Sequence, residues 1–118
     1  MSTPKTYGLT HLAIAVKDVE RTKLFYEKVF DMQVMYHQEG FVQLTTPGCN
    51  DILVFEEKKG SKIGETGSIE HFGFRLKDSK DIEDMLNRIV KAGGIVTDKG
   101  EFVRVSPMFF SKTVMAMK

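Results

Sequence analysis

Cysteine is almost missing from this chain of 118 residues: Cys49 stands alone. Neither an intrachain disulfide nor a cysteine-based zinc knuckle can therefore form, and a reduced, cytoplasmic setting is expected. Long hydrophobic runs are missing too, so no segment reads as a membrane span. The opening MSTPKTYG has no apolar stretch of the kind that leads a secretory signal. Charge of one sign is equally scarce. Lys and Arg number 17 against 16 Asp and Glu, no basic run gathers, and the formal net charge is +1. That balance argues against nucleic acid as a main partner. What is present is an ordinary globular composition, 42% hydrophobic and 28% charged, at the length of one domain with a modest core.

The organising feature is a repeat. LTHLAIAVKD (9–18) lies over IEHFGFRLKD (69–78), which sets His11 over His71, Lys17 over Lys77 and Asp18 over Asp78. Both segments alternate apolar with small or polar residues, a strand pattern, and both reach an Asp suited to capping a helix. After Asp18, VERTKLFYEKVF places Val19, Leu24, Phe25 and Val29 on one helical stripe, with Phe30 a further candidate. After Asp78, SKDIEDMLNRIVKAGG does the same with Ile82, Met85, Leu86, Ile89 and Val90, and Gly93-Gly94 supplies a left-handed stop. Strands are expected over 32–37, 41–46 and 51–57 in the first half, and over 95–99 and 101–105 in the second. The unit is β-α-β-β-β written twice: module one over about 7–57, a Lys- and Gly-rich linker over 58–68, and module two over about 69–118. The fold class is α+β.

Side chains alternate faces along a strand. Leu12, Ile14 and Val16 should pack under the helices, leaving His11, Ala13 and Ala15 on the other face. The same division sets Phe72, Phe74 and Leu76 against helix and His71, Gly73 and Arg75 opposite. A histidine at a strand start is commonly just a hydrogen-bonded residue. Two at equivalent repeat positions, each followed by small residues, also suit a divalent ion, for which imidazole is the commonest side-chain ligand. His37 has no counterpart in module two and reads as an ordinary polar residue at a strand end.

LTHLAIAVKDVERTKLFYEKVF and the later GSIEHFGFRLKD resemble the vicinal oxygen chelate superfamily, over residues 7 to about 103. That group includes glyoxalase I, fosfomycin and bleomycin resistance proteins, methylmalonyl-CoA epimerase and extradiol dioxygenases. The resemblance implies paired βαβββ modules curling into a cupped mixed sheet with helices outside, in a homodimer. It implies a divalent metal (Zn, Ni, Mn, Fe or Co) held by His11 and His71, with a carboxylate on the last strand completing the set. It further implies a lyase, isomerase or dioxygenase acting on a small oxygen-bearing metabolite. Glyoxalase I carries a further ligand Glu on the fourth strand, where this chain has Leu53 and Val54. Glu56, nearer the strand end, is a candidate for that ligand or for a catalytic base, or else an exposed carboxylate; Glu57 should point the other way, and Arg75 could pair an anionic substrate or be a solvated or salt-bridged residue.

The last residues depart from the family. Where relatives have an aromatic strand, a D-P-D-G turn and a strand bearing the ligand Glu, this chain reads RVSPMFFSKTVMAMK, with no carboxylate. One base lost near Val103–Arg104 would account for this. Because Met has a single codon, restoring the frame converts Met108-Phe109 to Val, Met115-Ala116 to Gly and Met117-Lys118 to Glu whatever the other codons are. A consistent set then reads V-P-G-F-P-Y-V-F-F-K-D-R-D-G-Y-E-I. The other reading is a native terminus whose Phe109, Phe110, Val114 and Met115 fill a strand. The missing carboxylate keeps open a second function, a metal-free small-molecule binding protein of the bleomycin-resistance type with Tyr36, Phe41, Phe72 or Phe102 as cleft walls, or an inactive member.

Overall fold

A computed structural model describes residues 3–60, 72–98, 102–106 and 113–116. The element order is β1 (Leu12–Val16), α1 (Val19–Phe30), β2 (Gln33–Gln38), β3 (Phe41–Thr45), β4 (Leu53–Glu57), β5 (Phe72–Arg75), a 3₁₀ turn (Ser79–Asp81), α2 (Ile82–Lys91), β6 (Ile95–Asp98), β7 (Phe102–Ser106) and β8 (Thr113–Ala116). The repeat is thus a repeat of structure. The two sheets have the same order, β1-β4-β3-β2 and β5-β8-β7-β6, with the first strand parallel to the last in each. The linker beyond Gly60 lies outside the described residues. The described part of the last segment continues the pattern, with Thr113–Ala116 as the strand beside β5.

Cross-strand partners share a face, so the registers sort module one into two sides. Leu12, Leu53, Leu44 and Val34 form one row, and Ile14, Phe55, Val42 and His37 another, facing α1. Leu44, Val42 and Phe55 have no exposed surface, and they join Val19, Phe25, Tyr26 and Val29 of α1 in the core. Tyr26 lies at its centre, stacked on Phe55 at 4.9 Å and on Phe30 at 5.5 Å between ring centroids.

Helix α1 begins as its sequence dictates. The Asp18 carboxylate accepts the Arg21 N–H at 3.1 Å, and Glu57 at the end of β4 accepts the Val19 N–H at 3.1 Å. Both satisfy amides that the first turn leaves unpaired. Glu57 therefore turns to the helix side, as expected. In module two the expected Asp78 cap is corrected. Asp78 accepts the N–H of Lys80 in the 3₁₀ turn, and the N-cap of α2 is Asp81, three residues later, which makes no side-chain cap bond. Two stripe residues are also corrected: Leu24 is 48% and Val90 60% exposed. Each sits at the edge of its helical stripe, where the neighbouring sheet no longer covers it.

The described contacts between the modules lie on the helix side. The Phe30 and Phe74 rings stack at 3.9 Å with planes 13° apart, and Leu86 and Ile89 of α2 join the same core. Gly93, at φ +92°, makes the left-handed turn after α2. Gly94 serves a different need: a Cβ there would stand 2.6 Å from Ile89 Cγ2 and 2.9 Å from Phe25 Cε2. Gly94→Ala should therefore cost about 1–3 kcal/mol through overpacking of this seam. A denaturation midpoint equal to that of the parent chain would show that the helices can separate freely.

Candidate functional site

The face away from the helices is built from the alternate rows. Ala13, Val54, Gln43 and Tyr36 lie side by side across β1, β4, β3 and β2, and Ala15, Glu56, Phe41 and Gln38 form the next row. His11 precedes Leu12 and continues the Ala13–Ala15 side of β1. Ala13 and Ala15 are exposed, so the small side chains leave open space above β1. Tyr36 reaches this face because of a bulge: the register shifts between Val34 and Tyr36, leaving Met35 unpaired. Were Met35 paired with Gln43 in an unbroken ladder, Tyr36 would fall opposite Val42 on the core side.

His11 is exposed and has no hydrogen-bond or ion-pair partner among the described residues. It borders a cavity of about 220 Å³ between the start of β1, Asp51 and Ile52 before β4, and Phe72–Phe74 of β5. Two features hold its backbone there. The Leu12 N–H donates to Ile52 O at 3.1 Å. The preceding turn is clamped by Asp51, which accepts from the Thr46 N–H at 2.7 Å and the Thr46 hydroxyl at 2.6 Å. His71 lies outside the described residues; it is the residue immediately before β5.

The other named residues separate. Glu56 shares the open face with His11, but it lies opposite Ala15, four residues on from His11, or about 13 Å along the strand at the usual rise. Glu56 as a residue is half-buried, with no hydrogen bond or ion pair among the described residues. Arg75 is exposed on β5, opposite in face to the stacked Phe74. His37 falls on the helix side, where its Nε2 lies 2.7 Å from a carboxylate oxygen of Glu20 in α1. That bond agrees with the structural reading of His37, although the sequence alone did not indicate its partner. Of the cleft-wall candidates, Tyr36 and Phe41 stand on the open face with rings 5.9 Å apart, whereas Phe72 packs against the core.

No group of three His, Cys, Asp or Glu side chains suited to an ion occurs among the described residues. Across the strand pairs, Val54 stands beside Ala13, two residues after His11. At the equivalent level of module two, Val114 pairs with Gly73, two residues after His71. The donors that can be named at the strand starts are thus the two histidines. No described helix is long and apolar enough to cross a membrane.

Comparisons with known proteins agree with this architecture. The chain is 31% identical over 94 residues to the uncharacterized protein PA2024 of Pseudomonas aeruginosa, covering 75% of this chain and 67% of that protein. It is 30% identical over 86 residues to the probable trivalent organoarsenical cleaving enzyme of Bacillus subtilis, covering 70% of this chain and 55%, about half, of that one. Among solved structures, the fosfomycin resistance protein FosX of Listeria monocytogenes, complexed with Mn(II) and 1S,2S-dihydroxypropylphosphonic acid, superposes with a TM-score of 0.78. The identity is 16%, over 96% of this chain and 91% of FosX. The profile of the Glyoxalase/Bleomycin resistance protein/Dioxygenase superfamily matches residues 8–108, and the chain belongs to that superfamily.

Proposed function

We propose that this chain is a metal-binding member of its superfamily that takes a small oxygen-bearing ligand on the open face of the sheet, with His11 and His71 as the metal ligands. The observation that carries this reading is the state of His11. It opens β1 on the uncovered face above two alanines, and no described residue occupies its imidazole. The repeat supplies a second histidine in the same position of module two. A bound divalent ion would polarise adjacent oxygens and stabilise negative charge developing on them. The family resemblance and the manganese held by the FosX relative support a divalent ion. Lyase, isomerase or dioxygenase chemistry would all use such a centre.

The chain's own residues would do the rest. The alanines leave room for the ligand. Glu56 offers a carboxylate on the same face that can take a proton or meet a positive charge, and Arg75 offers a cation for an anionic group on the module-two side. Cupping of the two sheets and a homodimer belong to the same proposal. They would give cover to Tyr7, Leu9 and Met35, which stand exposed before β1 and on β2.

The test is metal uptake by the purified chain and by a His11→Ala, His71→Ala double variant, followed by titration with manganese(II). The parent should bind weakly, at tens of micromolar or above, because two neutral imidazoles lack the anionic ligand that strengthens and selects an ion. The double variant should bind at least about tenfold more weakly still. Equal uptake by both would end the metal proposal. It would favour the second reading, metal-free sequestration, for which the Phe41 and Tyr36 rings on the open face are the supporting feature.

A further inference from the structure

The open face of module one carries one formally charged side chain within its strands, and its surroundings are specific. Glu56 has Ala15 on one side and Phe41 on the other in direct cross-strand register. Phe41 in turn meets Tyr36 edge to face, with ring centroids 5.9 Å apart. The Tyr36 hydroxyl donates to Gln38 Oε1 at 3.0 Å, which ties that ring to the same row. The result is a half-buried glutamate with no described partner, open space over an alanine on one side, and on the other the Phe41 ring with Tyr36 beyond it.

We infer that Glu56, Phe41 and Tyr36 form a subsite for an organic ammonium group on the ligand. A carboxylate attracts such a cation, and aromatic rings do so through their negative faces. The rings also provide apolar surface for the carbon substituents of a tertiary or quaternary nitrogen, which a hydrated metal ion would not use. A small or planar anion is disfavoured here, because the strands beside Glu56 carry no cation, and Lys17 and Lys58, just past the ends of β1 and β4, form no ion pair with it. Distance separates this role from the metal. At about 13 Å from His11 along β1, Glu56 meets the far end of a ligand rather than atoms held at the histidines.

The inference rests on the open face being a ligand-binding face, and it does not require that a metal be bound there. The test uses choline and its uncharged isostere 3,3-dimethylbutan-1-ol, titrated by NMR into the full chain at 150 mM salt with EDTA present. Choline should bind the parent at least about tenfold more tightly than the isostere, and Glu56→Gln should weaken choline by about tenfold while leaving the isostere unchanged. Phe41→Leu should weaken choline by about threefold, and His11→Ala should leave it unchanged. Equal affinity for choline and isostere, undetectable choline binding, or loss of choline binding in His11→Ala would each overturn the subsite. Manganese titration of the same samples without EDTA scores the metal reading separately, so the two can fail independently. Glu56→Gln is isosteric. Should it fail to fold, the parent's preference for choline over its isostere and the Phe41→Leu variant still decide the question.

Discussion

Phe55→Ala should destabilise the chain by about 3–5 kcal/mol, a large part of the 5–15 kcal/mol that holds a typical domain together. Phe55 has no exposed surface, lies in the middle of β4, and stacks on Tyr26 at 4.9 Å. Tyr26 is also fully covered and contacts Phe30 and Phe74, so the cavity would open where α1 meets the sheet and the seam to module two. The surroundings cannot easily collapse, because Val42 and Leu44 are fixed by pairing of β3 with β4. Urea denaturation monitored by circular dichroism measures the effect. A loss below about 1 kcal/mol would mean that this aromatic cluster is not the centre of the fold.

The second large effect concerns the ligand set. If residues 104–118 are read in a shifted frame, inserting one base at the Val103–Arg104 junction should restore a D-x-D-G turn and the strand on which relatives carry their carboxylate. The restored chain should then bind manganese(II) about 100-fold or more tightly than the chain as given, since a carboxylate adds an anionic, geometry-defining ligand to two imidazoles. The backbone already has a place for such a strand. Residues 113–116 lie parallel to β5, and Val114 pairs with Gly73 at the same level as Val54 with Ala13. Unchanged affinity in the restored chain would sink the shifted-frame reading and leave the terminus as a native, ligand-poor strand.

Much of this molecule was legible in its sequence because strand alternation is a local property. LAIAV declares its two faces by its side chains alone, and the register with LVFEE agrees with that division. The Asp18 cap was legible for the same reason, since the bond spans three residues. Features that depend on distant neighbours were not. Nothing in Leu24 or Val90 signals that the sheet stops short of covering them. Asp78 is the same residue type as Asp18, but the 3₁₀ turn over Ser79–Asp81 moves the N-cap of α2 to Asp81. The Glu20–His37 bond and the Phe30–Phe74 stack join elements whose approach no local pattern encodes. The repeat named His11 and His71 as candidates, of which His11 is among the described residues, whereas the Glu56–Phe41–Tyr36 grouping needed the registers of three strands and the bulge at Met35.

Whether the strand-start histidines hold a divalent ion is read by pulsed electron paramagnetic resonance on manganese(II), with protein in excess over metal. Hyperfine coupling to imidazole nitrogen is expected in the parent chain, reduced in His11→Ala and abolished in the His11→Ala, His71→Ala double variant. Manganese showing only water and carboxylate coordination in the parent, or the same nitrogen coupling in the double variant, would contradict the proposed ligand pair.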